Sequence, residues 1–153
     1  MQFWKKILVV SFVTMCLAPA AGAASAPSRD LLLAMNEARA ANGVPSLRPD
    51  VRLHRAARAY SAELIRRDVF THDGFVRRMQ HAGVRGPYVG ENLAWGVGAS
   101  ASASAIVQGW LASPAHRGNL LNPRFRRVGL GLVTGEFAGR ANATVVTANF
   151  AGR

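Results

Sequence analysis

Cysteine sets the first limit on this chain. Cys16 is the only one among 153 residues, so no intrachain disulfide and no thiolate zinc site can brace the fold. An apolar core has to hold it. With 50% hydrophobic residues the chain is too apolar to be disordered, and its length suits one domain. A domain of this size buries roughly two-thirds of its unfolded surface, enough for a core without staples.

Cys16 also lies in a segment set apart. Residues 1–6 are short and basic, 7–18 are mostly apolar, and 20–26 are rich in Ala, Gly and Ser. That order is expected of a secretory signal peptide over 1–23, cut after Ala21-Gly22-Ala23. The apolar run is shorter than the ~20 residues a membrane-spanning helix needs, although an uncleaved anchor is the alternative. Met15 is bulkier than the residue that precedes a lipidated cysteine. The domain proper is expected over 28–153, secreted or periplasmic, with a bacterial style of signal.

Charge is lopsided, with 19 basic residues against 8 acidic and a net +11. Lys5 and Lys6 are the only lysines, so the domain's basic residues are all arginine. Arg124-Phe125-Arg126-Arg127 is the densest cluster. An exported protein is not expected to bind nucleic acid, so lipid headgroups or an anionic cell-envelope polymer are the contacts this charge favours. Solubility with an arginine-heavy composition is the plainer reading. No P-loop and no G-x-G-x-x-G is present, so no nucleotide cofactor is expected.

Periodicity predicts helices first and strands last, an α+β order. The first helix is expected to start at Ser28 as N-cap, with Leu31, Met35 and Ala38 inward and Asn42-Gly43 closing it. The second runs over 50–68 on a stripe of Leu53, Ala57, Tyr60 and Leu64, with arginines on the far face. A short helix places Phe75, Met79 and Ala82 inward. Residues 86–98 read as irregular or weakly extended. Helices follow over 104–112 and 114–121, then strands over 128–134 and 143–150 joined by a turn into an antiparallel hairpin.

Three segments set polar residues beside apolar anchors: Phe70-Thr71-His72, Gly90-Glu91-Asn92-Leu93-Ala94, and a third running from Trp110 to Asn119. Ser113-Pro114 fits an N-cap followed by proline at the first helical position. His116 then sits in the first turn, where the helix dipole disfavours imidazolium. A neutral imidazole suits a metal ligand or a general base. Asn119, three residues on, shares its face. The plain alternative is a helix start with a surface histidine. Glu91 has no adjacent basic residue, so it is paired, caps a turn or binds something. If they converge, His72, Glu91 and His116 make a zinc set with an open fourth position. His54 and His81 read as surface residues.

Together these motifs resemble the CAP superfamily, which unites cysteine-rich secretory proteins, antigen 5, pathogenesis-related 1 proteins and bacterial SCP-like relatives. Asn36-Glu37-Ala38-Arg39 resembles its first-helix Asn-x-x-Arg. Leu53-x-x-x-Ala57 and Phe70-Thr71-His72 are similar to its second helix and following histidine. Gly90-Glu91-Asn92-Leu93-Ala94 resembles its most recognisable stretch. Trp110-x-x-Ser113-x-x-His116-x-x-Asn119-Leu120-Leu121 resembles the bacterial branch, and Val128-Gly129-Leu130-Gly131 its glycine strand. The resemblance implies an α-β-α sandwich with a small antiparallel sheet between helices. A further strand is then expected in 92–98. It also implies a cleft lined by His72, Glu91 and His116, with Asn92, Ser113 and Asn119 beside them, able to hold a divalent metal such as zinc. Members with the full set carry a second glutamate where Ser113 stands.

Three functions stay open on this reading. One is a cleft that binds a metal and a ligand without established chemistry. Another is a metal-dependent hydrolase of peptide or ester bonds, with Glu91 as base to a zinc-bound water. Glu91 cannot easily be both ligand and base, and no second carboxylate is near to share the work. The last is a lipid- or envelope-binding module without catalysis. Ser113→Ala is expected to cost about 1 kcal/mol through a lost cap, and Trp110→Ala about 3–5 kcal/mol if Trp110 is buried.

Overall fold

The helix with the clearest apolar stripe forms where its spacing places it. In the computed structural model, which describes residues 25–84 and 86–152, it spans Val51–Arg67. Asp50 caps it by accepting from the backbone N–H groups of Arg52 and Leu53, and Asp68 closes it in the left-handed region. Leu53, Ala57, Tyr60 and Leu64 are all buried. The expected export segment, with Cys16, lies outside the described residues.

In chain order the elements are α1 (Ala26–Ala41), β1 (Arg48–Pro49), α2 (Val51–Arg67), α3 (Phe75–His81), β2 (Val89–Val97), α4 (Ala103–Ala112), α5 (Pro114–Leu120), β3 (Phe125–Phe137) and β4 (Arg140–Gly152). A turn of 3-10 helix at Gly98–Ala101 joins β2 to α4. The sheet runs β1-β3-β4-β2, parallel between β1 and β3 and antiparallel elsewhere. Helices lie on both faces, the expected α-β-α sandwich. On one side α1, α4 and α5 enclose Leu31, Met35, Ile106, Trp110 and Leu120 against Val128, Leu130, Val146 and Phe150. On the other, α2 and α3 enclose Tyr60, Leu64, Leu53 and Met79 against Leu93, Val145 and Ala151.

Several expectations need correction. Helix α1 starts at Ala26 after Ser25, so Ser28 is not its N-cap but a buried residue inside it. Residues 89–97 are a full strand instead of an irregular or weakly extended stretch; this is the further strand the resemblance placed in 92–98, begun three residues earlier. Their alternation is masked because β2 is buried on both faces over Gly90–Leu93. The hairpin strands reach beyond 128–134 and 143–150 at both ends, and the turn narrows to Ala138 and Gly139. The two-residue β1 carries no periodic signal and was not foreseen.

The glycine strand has a steric reason. A Cβ on Gly129 would lie 2.0 Å from the Leu53 carbonyl carbon, and one on Gly131 would lie 2.2 Å from that of Ala57. Backbone of α2 therefore rests directly on backbone of β3. Ser61 completes this contact by donating to the Gly131 carbonyl at 3.0 Å.

Candidate functional site

β2 is an edge strand, and the expected site residues gather along its open side. Glu91 and Asn92 are neighbours, so they point to opposite faces. Glu91 faces α2 and α3, and Asn92 faces α5. His72 arrives from the loop after α2 and His116 from α5. The two imidazoles meet around the edge with centroids 6.5 Å apart and planes at 43°.

On the α5 side the contacts are hydrogen bonds from side-chain amides and one indole. Asn92 Nδ2 donates to the His116 carbonyl at 2.9 Å. Asn119 Nδ2 donates to the Glu91 carbonyl at 3.1 Å and the Asn92 Oδ1 at 3.0 Å. Trp110 Nε1 donates to the Leu93 carbonyl at 3.0 Å. Side chains thus satisfy edge carbonyls that a further strand would otherwise take. Gly90 makes this approach possible, since a Cβ there would lie 2.9 Å from Asn119 Oδ1 and 2.8 Å from the Phe125 ring.

On the α2–α3 side the contacts are ionic. Glu91, whose side chain is 2% exposed, spends both oxygens. Oε1 lies 2.9 Å from His72 Nδ1, and Oε2 lies 2.6 Å from Arg78 Nη2. A carboxylate held against a guanidinium is an acceptor, so His72 Nδ1 is the donor in this contact and Nε2 lies on the far side of the ring. Arg78 is braced from below. Its guanidinium sits over the Tyr60 ring, 3.2 Å from the centroid, and donates to the Asp73 carbonyl. The Tyr60 hydroxyl donates to the Thr71 carbonyl at 2.5 Å, pinning the residue before His72. Burial pushes the Tyr60 pKa up, with Arg78 opposing it.

The sequence missed Arg78 and the anchoring role of Tyr60. A buried carboxylate needs a cation, and that demand was visible at Glu91, but the partner lies 13 residues away on another element. The expected residues otherwise arrive as a group. His72, Glu91, Asn92, His116 and Asn119 all meet at the β2 edge, and His54 and His81 stay outside it. Ser113 precedes α5 in extended conformation with Pro114 next, but its hydroxyl makes no cap hydrogen bond. The expected cap energy therefore has no contact behind it. Burial, then the charge of His72, lower the His116 pKa, so both favour the neutral imidazole. Among the described residues no three His, Cys, Asp or Glu side chains are grouped closely enough to hold a metal ion.

A family model described as the cysteine-rich secretory protein family, CAP, matches residues 32–150. The chain belongs to the CAP family. This CAP domain is 30% identical over 114 residues to an uncharacterized protein of Bacillus subtilis, YkwD, a match that covers 71% of the chain and 43% of that relative. A solved extracellular protein containing an SCP domain, from Bacillus anthracis, superposes with a TM-score of 0.68 at 27% identity, covering 82% of the chain and 40% of that protein. An outer surface protein from Borrelia burgdorferi superposes with a TM-score of 0.69 at 22% identity, over 82% of the chain and 91% of that protein. The CAP domain thus spans less than half of the two Bacillus proteins. Its bacterial relatives share the sandwich on which the β2-edge site is built.

Proposed function

We propose that this chain is an exported CAP domain whose cleft binds a ligand through His72 and His116, with Glu91 orienting His72 instead of acting as a free base. The double engagement of Glu91 carries this reading. Its contact with His72 Nδ1 aims Nε2 away from the carboxylate, the outer-sphere support commonly found behind a ligating histidine. Arg78 neutralises the same carboxylate. Hydrolysis with Glu91 as general base would require both contacts to break. The extracellular and outer-surface proteins among its relatives are in keeping with export.

Zinc or a similar divalent cation fits a pair of imidazoles. With Zn–N near 2.0–2.1 Å, two imidazoles on one tetrahedral ion have centroids about 5 Å apart. His72, half-exposed on its loop, would have to shift to close the difference from 6.5 Å. Such an ion would act as a Lewis acid toward a polar ligand. Glu91 and Arg78 would fix the His72 tautomer, and Asn92 would hold α5, and with it His116, in place.

Calorimetric titration of the untagged protein with zinc tests this. Binding by the parent should vanish in His72→Ala/His116→Ala and weaken about 10–100-fold in Glu91→Gln, the usual loss for an outer-sphere partner. Equal binding by the parent and the double variant would sink the proposal.

A further inference from the structure

Away from this cleft, and sharing no residue with it, a cavity of about 790 Å³ opens where the segment entering β1 meets the start of β3. Arg48, Arg124, Arg126 and Arg127 line it with Pro45 and Pro123. Register sets Arg48 opposite Arg127 on paired strands, and like charges in that position repel. Asp50 answers one of them, with its carboxylate 2.6 Å from Arg127. Burial would raise the Asp50 pKa, but the Arg127 hydrogen bond and two backbone N–H groups hold it below the ordinary value. Arg124 lies over the Tyr88 ring at 4.6 Å. Among the described residues no carboxylate pairs with Arg48, Arg124 or Arg126.

Arg39 lies behind this wall, fully buried. Its Nε donates to the Pro45 carbonyl at 2.8 Å, Nη1 to Leu120 at 2.6 Å and Asn122 at 3.2 Å, and Nη2 to Phe125 at 3.0 Å. Arg126 Nη1 donates to the same Phe125 carbonyl at 3.2 Å, so two guanidiniums share one oxygen. Carbonyls satisfy the hydrogen bonds of Arg39 but bring no counter-charge. Burial and then Arg126 lower its pKa to about 10, and it stays charged at neutral pH. A buried charge without compensation is unfavourable. An anion in the cavity would relieve Arg39 and the surface arginines together.

We propose that this cavity binds a phosphate oxyanion, supplied by a lipid headgroup or by a free phosphate compound, with Arg48, Arg124 and Arg126 as donors. Guanidinium forks match phosphate geometry. Several forks around one cavity suit a tetrahedral oxyanion better than a planar carboxylate, which a single fork satisfies.

Thermal unfolding in inorganic phosphate, against chloride at equal ionic strength, is the first test. Sedimentation with phosphatidylglycerol or phosphatidylcholine vesicles is the second. The variants are Arg48→Gln/Arg126→Gln and, as an equal-charge control, Arg58→Gln/Arg66→Gln on the exposed face of α2. Phosphate should raise the parent and control midpoints by at least about 3 °C and leave the site variant unmoved. Phosphatidylglycerol binding that falls about tenfold or more in the site variant alone identifies the headgroup as the source. Stabilisation by phosphate without vesicle binding identifies a free compound. No response of the parent to either probe overturns the proposal. So does an equal loss in both variants, which would reduce the effect to net charge.

Discussion

The two faces of the sheet are closed in different ways. Under α2 the closest contact is backbone on backbone, where Gly129 and Gly131 let β3 approach the helix with no side chain of their own between them. At the β2 edge α5 is held off the strand by amides that bridge carbonyls. A steric contact has no slack, because neither backbone can move without moving the sheet. An amide contact is directional but replaceable, and its atoms can exchange partners with a ligand. Of the candidate site residues, Asn92, His116 and Asn119 sit on the replaceable side, while His72 and Glu91 meet on the face that α2 covers.

The largest expected effect comes from the side without slack. Gly131→Val should leave the chain unfolded or destabilised by more than about 4 kcal/mol, since its added carbons would enter the α2 backbone. A cooperative melt near the parent's would show that α2 can lift and that the two faces are alike. Trp110→Ala comes next, with about 3–5 kcal/mol expected from its buried volume. Its indole is 2% exposed and also serves the Leu93 carbonyl, so denaturant melts should show the upper half of that range.

Asn92→Ala sharpens the contrast on the amide side. It strips a donor from the His116 carbonyl and an acceptor from Asn119, which should cost about 1–3 kcal/mol by chemical denaturation. Loss of zinc binding with the fold intact would separate site from scaffold, as no change under α2 could. The effect of pH is smaller. Folding lowers the His116 pKa, so the folded state resists its protonation. Stability is full above about pH 6.5 and declines as pH falls through the unfolded pKa toward the lower folded one. Melting at pH 7 and pH 5 should show a drop that His116→Gln reduces. Ser113→Ala should be the mildest change, within about 0.5 kcal/mol in the same melts, because its hydroxyl caps nothing.

The contrast also explains which parts of the fold show in the sequence. Stripes such as Leu53, Ala57, Tyr60 and Leu64 show in sequence because burial repeats with the helix. Gly129 and Gly131 show because a glycine at alternate strand positions has few other uses. His72, Glu91 and His116 were found by their odd company and by resemblance, and their meeting at one edge was not readable. Arg78 was hidden for the same reason, as ion pairs across elements leave no period. β2 was obscured because its two faces are both covered. Ser28 shows how cap chemistry misleads when a second serine, Ser25, stands three residues before it.

The amides along β2 have one more consequence. Asn119 and Trp110 occupy carbonyls that would otherwise be free to accept the N–H groups of another chain. Asn119 also meets Glu91 and Asn92 at the candidate site. A variant that removes it loosens that site and uncovers a strand able to pair with its own copies. Loss of binding and gain of self-association should therefore appear together in this protein, and Asn119→Ala should drift toward aggregates on storage while Ser113→Ala stays monodisperse.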